Sequence, residues 1–89
     1  MAIFWLQTVI KNNDGTFVRF SVDAPFADVD EFAGALSEGE IIAMDKIWTT
    51  RDETGQKYIT GRERIAIGPD YIGMIQMPHA QPSTEKANV

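Results

Sequence analysis

Apolar and polar residues alternate near the start of the chain in a pattern that predicts a β-hairpin. β-Branched and aromatic residues predominate in 3–10 and 16–22, and the turn sequence Asn12-Asn13-Asp14-Gly15 lies between them. That sequence favours a type I turn followed by a left-handed glycine. The resulting register is expected to pair Asn12 with Thr16, Ile10 with Val18, Thr8 with Phe20 and Leu6 with Val22. One face then collects the apolar side chains of Phe4, Leu6, Ile10, Val18, Phe20 and Val22.

A short amphipathic helix is predicted after this hairpin. Pro25 lacks the N–H that a sheet requires, so it ends the second strand. Asp28 suits an N-cap position, and Glu31 follows three residues later as in a capping box. Gly39 is expected to end the helix at the C′ position. The apolar stripe predicted to face the sheet consists of Val29, Phe32, Ala33 and Leu36.

A second hairpin is predicted from strands at 40–50 and 57–67, joined by a turn that again ends in glycine. An uninterrupted register would place Asp45 opposite Glu63, which opposes like charges. One extra residue at Thr60-Gly61, a β-bulge, removes the conflict. The partners predicted with this bulge are Lys46 with Glu63, Asp45 with Arg64, Met44 with Ile65 and Ile42 with Ile67.

The remaining sequence predicts one more short element and a tail. A single turn at 69–71 is expected to lead into a strand at 72–77, with a helical turn as the alternative. From Pro78 onward the composition is that of a disordered segment, predicted over 78–89. Residues 1–77 are therefore expected to form one α+β domain. It has a mainly antiparallel sheet of four or five strands, in the chain order β-β-α-β-β with an optional fifth strand, and one helix packed on one face.

Composition narrows the chemistry that the chain can carry. The 89 residues contain no cysteine and one histidine, so neither a thiolate site nor zinc at its usual ligand spacing is expected. His79 lies in the predicted tail, where nothing would hold it as a catalytic base. The acids Asp28, Asp30 and Glu31 are accounted for by their place at a helix start. No catalytic residue, metal site or cofactor is predicted, and the chain is not expected to be an enzyme.

The charge balance and the lack of long apolar runs limit the class of partner. Thirteen acidic and eight basic residues give a net charge of −5, and no cluster of lysine and arginine is present. A nucleic-acid partner is therefore not expected. No apolar run approaches the length of a membrane span, and the first residues do not resemble a signal peptide. The expectation is a cytoplasmic protein with no membrane partner.

The face of the first hairpin that points away from the helix suggests association. A helix about 10 Å wide covers roughly two strands spaced about 4.8 Å apart, so this face is expected to stay exposed. Exposed apolar patches usually mark interaction sites. The interface residues predicted on this ground are Ile3, Trp5, Val9 and Phe17. They predict a homo-oligomer, most simply a two-fold dimer, and leave open a further protein partner.

The predicted function is a non-enzymatic protein-interaction module that self-associates through its sheet. The alternative is a small-molecule-binding protein with an aromatic-lined pocket between helix and sheet or between subunits. Arginine can grip an anionic ligand, although solvated strand positions account for the arginines equally well. The weaker ligand candidates that belong to this alternative are Trp48, Tyr58, Arg62 and Arg64.

Overall fold

The structure is a computed structural model that describes residues 2–78. The strands are β1 (Ala2–Lys11), β2 (Phe17–Ala24), β3 (Ile42–Arg51), β4 (Lys57–Ile67) and β5 (Ile72–Gln76). The helix α1 (Val29–Ser37) lies between β2 and β3, and a 3-10 turn (Pro69–Tyr71) precedes β5. The α+β class is thereby confirmed, and the optional fifth strand is present. Apart from Pro78, the tail predicted at 78–89 lies outside the described residues.

All strand pairs are antiparallel, and the strands lie side by side in the order β4-β3-β2-β1-β5. In a flat sheet, four spacings of about 4.8 Å would put β4 and β5 about 19 Å apart. Only residues 68–71 join these two edge strands, and three of them form the 3-10 turn. Such a link spans on the order of 13 Å, because a 3-10 turn rises only about 2 Å per residue. The sheet is therefore curled.

The hydrophobic core lies between α1 and one face of this sheet, which we call the helix face. Phe32 of α1 is fully buried, and its ring meets that of Phe4 edge-on at 5.1 Å between centroids. Phe26 packs against the same ring at 4.7 Å. The residues that form the buried cluster are Phe4, Leu6, Val22, Ala24, Phe32, Ile42, Met44 and Ile67.

Both predicted ends of the helix are confirmed. The Asp28 carboxylate accepts a hydrogen bond from the Glu31 N–H at 2.8 Å, and Gly39 follows the helix with a φ of +77°. The predicted apolar stripe is correct except at Ala33, which is exposed while Ala35 packs against the core. The stripe is centred on Phe32. Ala33 is turned about 100° from it around the helix, whereas Ala35 is only about 60° away.

The predicted register of the first hairpin holds only at its turn. Lys11 opposes Phe17 as expected, but Leu6 opposes Phe20 instead of Val22. The predicted pairs Leu6 with Val22 and Thr8 with Phe20 are therefore wrong.

The cause of the shift is a bulge around Thr8. The Thr8 hydroxyl donates to the Val18 carbonyl at 3.0 Å and accepts from the Ile10 N–H at 3.2 Å, replacing ladder hydrogen bonds. Residues 8–10 of β1 thus lie opposite the single residue Val18. The bulge adds two residues to β1, and side chains alternate between faces with a period of two. The residues of β1 that precede the bulge therefore keep their predicted faces. Ile10 is the exception, since it is half exposed and does not join the core.

The second hairpin has the predicted register. Trp48 opposes Gly61 and Thr49 opposes Ile59, so Thr60 is the extra residue of a bulge in β4. The pairs confirmed by the structure are Lys46 with Glu63, Asp45 with Arg64, Met44 with Ile65 and Ile42 with Ile67.

Candidate interaction surface

The sheet face opposite the helix carries most of the predicted interface residues. Trp5 lies between Ser21 of β2 and Gln76 of β5, and Gln7 lies between Arg19 and Met74 in the same strands. Lys11 and Phe17 continue this face toward the turn. Val9 lies beside β5, with its Cγ1 3.6 Å from the place where a β-carbon on Gly73 would be. We call the exposed side chains of this region the Trp5 surface: Trp5, Val9, Lys11, Phe17, Arg19 and Met74, together with Gln7 and Gln76.

Three of the four predicted interface residues expose substantial area. The exposed fractions are 41% for Trp5, 51% for Val9 and 37% for Phe17, and Met74 adds a side chain that is 44% exposed. Ile3 is buried within the single chain, at 6% exposure, and offers almost no surface. The apolar area available to a partner is therefore centred on Trp5 and Met74.

The end of the second hairpin covers part of this face of the sheet. Ile47 of β3, on the same face, is also buried, at 3% exposure. The Lys57 ammonium at the start of β4 lies 5.6 Å from the centre of the Trp5 ring. The hairpin end beyond the Thr60 bulge therefore bends over this face, as bulged strands do. This cover was not predicted, because the helix was taken as the only element that could lie on the sheet.

Cations border the apolar side chains of the Trp5 surface. The Arg19 Nε donates to the Gln7 Oε1 at 3.0 Å, and the Lys11 ammonium lies 5.7 Å from the centre of the Phe17 ring. The Lys57 ammonium likewise lies 5.6 Å from the centre of the Trp5 ring. Cation–π contacts of this kind contribute about 0.5–1 kcal/mol at exposed sites. The surface thus combines aromatic faces with three positive charges.

Two carboxylates that lie close in sequence to Lys11 and Lys57, those of Asp14 and Asp52, belong to the hairpin turns. The Asp14 carboxylate accepts from the Thr16 N–H at 3.0 Å and from the Thr16 hydroxyl at 2.7 Å. These hydrogen bonds, led by the one from the hydroxyl, lower the pKa of Asp14 from its ordinary value. Asp52 accepts from the Thr54 N–H at 2.9 Å. Both carboxylates hold their own turns, and none of the side chains that define the Trp5 surface is acidic.

A shallow groove of about 220 Å³ runs through the Trp5 surface. Aromatic and thioether groups from Trp5 and Met74 form part of its lining, and Arg19 contributes a guanidinium. The complete lining is Trp5, Leu6, Gln7, Arg19, Phe20, Met74 and Gln76. A groove of this composition can take an aliphatic side chain while the guanidinium and the amides bind an acidic or carbonyl group beside it.

The arginines proposed as ligand candidates are engaged in a network of ion pairs within the chain. Arg62 Nη1 lies 2.9 Å from Asp23 and 3.2 Å from Asp45, and Arg64 Nη1 lies 3.2 Å from Asp45. The hydrogen bond to Asp23 is the main cause that raises the pKa of Arg62 above its ordinary value. These contacts join β2, β3 and β4. The network therefore has a structural explanation that needs no ligand.

The four ligand candidates are not brought together. Alternation along the second hairpin places Trp48 and Tyr58 on the helix face, whereas Arg62 and Arg64 lie on the opposite face. A second groove, of about 330 Å³, opens on the helix face beside Lys46, whose ammonium lies 5.1 Å from the centre of the Phe20 ring. None of the four candidates lines it. Its lining is Phe20, Lys46, Glu63, Ile65, Ala66, Ile67, Gly68 and Tyr71.

Neither groove lies between helix and sheet, which is one of the two places where the alternative function locates its pocket, the other being between subunits. No residue of α1 lines either groove. Phe32 and Phe26 instead fill that space with direct ring contacts.

Wider comparisons add no constraint on function. Among residues 2–78, no group of three or more His, Cys, Asp or Glu side chains is arranged to hold a metal ion. Within the same residues, no helix has the length and apolar character needed to cross a membrane. Comparison of the chain with protein-family models, with curated proteins and with solved structures gives no match. Function must therefore be inferred from the residues of this chain.

Proposed function

We propose that this chain is a non-enzymatic interaction module that self-associates through the Trp5 surface. The observation that carries the proposal is the exposure of Trp5, Val9, Phe17 and Met74 in one region of the sheet. Aromatic residues and methionine are enriched at protein interfaces, and tryptophan dominates their binding energy more often than most residues. Apolar side chains gathered in this way favour association over simple exposure to water.

The size of the chain adds a reason to associate. A domain of this length buries a smaller fraction of its surface than a larger one, so its own core supplies limited stability. At about 25 cal/mol per Å², a few hundred Å² of apolar surface per subunit would contribute several kcal/mol before the entropy of association is subtracted. Self-association is therefore a way for this small domain to gain stability.

The sheet face is a better association surface than the sheet edges. At one edge, two copies of β4 paired about Glu63 would oppose Glu63 to itself and Arg62 to Arg64. Like charges directly opposite each other destabilise a strand pair. At the other edge, β5 has only five residues, and short edge strands discourage pairing. We also propose the cytoplasm as its compartment, since it lacks the disulfides that stabilise many small secreted domains.

Sedimentation velocity of the wild type, Trp5→Ala and Trp48→Ala at micromolar concentrations tests the proposal. Trp48 is a matched control, because it is 46% exposed on the helix face while Trp5 is 41% exposed on the other. We expect the wild type and Trp48→Ala to associate and Trp5→Ala to remain monomeric with an unchanged far-UV circular dichroism spectrum. A wild type that is monomeric at every concentration would contradict self-association and favour the ligand-binding alternative.

A further inference from the structure

Acidic and basic side chains are separated on this protein. Residues 20–45 contain seven acidic residues and no lysine or arginine. Asp23 and Asp45 form ion pairs with Arg62 and Arg64. The other five acids are exposed and lie at or beside α1: Asp28, Asp30, Glu31, Glu38 and Glu40. The Trp5 surface, on the opposite side of the sheet, has the complementary charge.

Two of these acids have no side-chain partner or side-chain capping role among residues 2–78 that explains their position. Glu38 caps the C-terminus of α1 and Glu40 follows it, where the helix dipole disfavours negative charge. No basic residue lies in the last turn, and among residues 2–78 no lysine or arginine forms an ion pair with either glutamate. Residues that break a local rule without compensation in the fold often serve a function.

An exposed apolar side chain follows directly. Ile41 is 75% exposed, more than any other large apolar residue of the described chain. Residues 38–41 therefore present one branched aliphatic group preceded by two carboxylates. The groove beside Trp5 and Arg19 can take this combination of an aliphatic group and a carboxylate.

We infer that residues 38–41 of one copy dock on the Trp5 surface of a second copy, so that association is head-to-tail. Ile41 enters the groove beside Trp5 and Met74, and Glu38 and Glu40 face the surrounding cations. The inference rests on the proposed function and names the partner surface. Two Trp5 surfaces packed on each other would instead bring the positive charges of one copy close to those of the other, which like-charge repulsion disfavours.

The assembly that follows is not a two-fold dimer. The helix and the Trp5 surface lie on opposite faces of the sheet, so one copy can engage two neighbours at once. A head-to-tail contact generates a ring if its rotation closes and an open chain if it does not. The two-fold dimer expected from the sequence as the simplest assembly is replaced in this proposal.

Mixing two singly defective variants tests the geometry directly. Trp5→Ala disables the Trp5 surface without reversing its charge, and the double variant Glu38→Lys/Glu40→Lys disables the acidic segment without removing the Asp28 cap. We expect each variant alone to associate at least about tenfold more weakly than the wild type. An equimolar mixture should form a heterodimer and nothing larger, because only one working contact remains in the mixture. Asp70→Lys, a charge reversal in the exposed 3-10 turn, is the matched control and should associate like the wild type.

The outcomes of the mixing experiment test self-association and the head-to-tail contact separately. A monomeric wild type would refute self-association itself. An associating wild type with no heterodimer in the mixture would leave self-association standing and refute the head-to-tail contact. If charge reversal at the helix end unfolds the chain, Ile41→Ser replaces it, since Ile41 is mostly exposed.

A peptide probe distinguishes the occupants of the Trp5 surface. A synthetic peptide of residues 36–42 should dissociate the wild-type oligomer and should shift the tryptophan emission of the monomeric Glu38→Lys/Glu40→Lys variant, whose Trp5 surface is intact and unoccupied, to shorter wavelength. A peptide with both glutamates replaced by lysine should do neither. Binding of a single-stranded oligothymidylate in place of the acidic peptide would overturn the inference and assign the aromatic and cationic side chains to nucleic acid.

Discussion

Phe32 is the single side chain on which most of the helix-to-sheet packing depends. It is the buried residue of α1, and it contacts Phe4 from the sheet and Phe26 from the loop before the helix. Its burial follows from the helical spacing of apolar residues in the sequence. The different surroundings of the Trp5 and Trp48 rings, by contrast, do not follow from the spacing of apolar residues. Gly61 leaves room for the Trp48 ring, which would lie 3.4 Å from a β-carbon there, whereas Trp5 meets a lysine from a distant hairpin end.

Phe32→Ala should lower the free energy of unfolding by about 3–5 kcal/mol, because it removes a fully buried ring and leaves a cavity. Small domains have about 5–15 kcal/mol in total, so the variant is expected to be close to unfolding. Phe32→Leu keeps much of the volume and should cost less. Urea unfolding followed by circular dichroism measures both. Equal midpoints for Phe32→Ala and the wild type would contradict the central packing role of this ring.

The two hairpins differ in how far the sequence determines their register. In the second hairpin, charges on both strands exclude the uninterrupted register, so the bulge could be located from the sequence. In the first hairpin, no charge conflict signals the bulge. The Thr8 hydroxyl stabilises it through hydrogen bonds to Val18 and Ile10, an interaction that an alternation pattern records only as a polar interruption. The turn residues therefore predict the register correctly near the turn, but the prediction is wrong beyond the bulge.

Deleting Thr60 should straighten the second hairpin. The pairs on both sides of the bulge, Trp48 with Gly61 and Thr49 with Ile59, can persist without it. The bend that brings Lys57 over Trp5 should be lost, and the apolar surface uncovered around Trp5 should lower the free energy of unfolding by about 1–3 kcal/mol. Nuclear Overhauser contacts would show the strand pairs retained and the contact between Lys57 and Trp5 absent. Persistence of that contact would show that the bulge does not cause the bend.

At the scale of the whole molecule, the α+β class and the order of elements along the chain follow from the sequence. The order of strands in the sheet does not, since no local pattern specifies that β5 pairs with β1. That placement brings Met74 and Gln76 beside Trp5, so part of the candidate surface could not be found from the sequence. The cation cluster was missed for the same reason. Lys11 and Arg19 belong to one hairpin, but Lys57 is distant in sequence and reaches Trp5 only when the second hairpin bends.

The central claim is that Trp5 lies in the contact between copies, and the fluorescence of Trp5 alone measures this most directly. The chain has two tryptophans, so Trp48→Phe leaves Trp5 as the only one, and Trp5→Phe leaves Trp48 as the control. Dilution through the concentration at which sedimentation shows dissociation should shift the Trp5 emission to longer wavelength, because the ring becomes exposed to water, and leave the Trp48 emission unchanged. A Trp5 emission that stays constant while the oligomer dissociates would contradict the account.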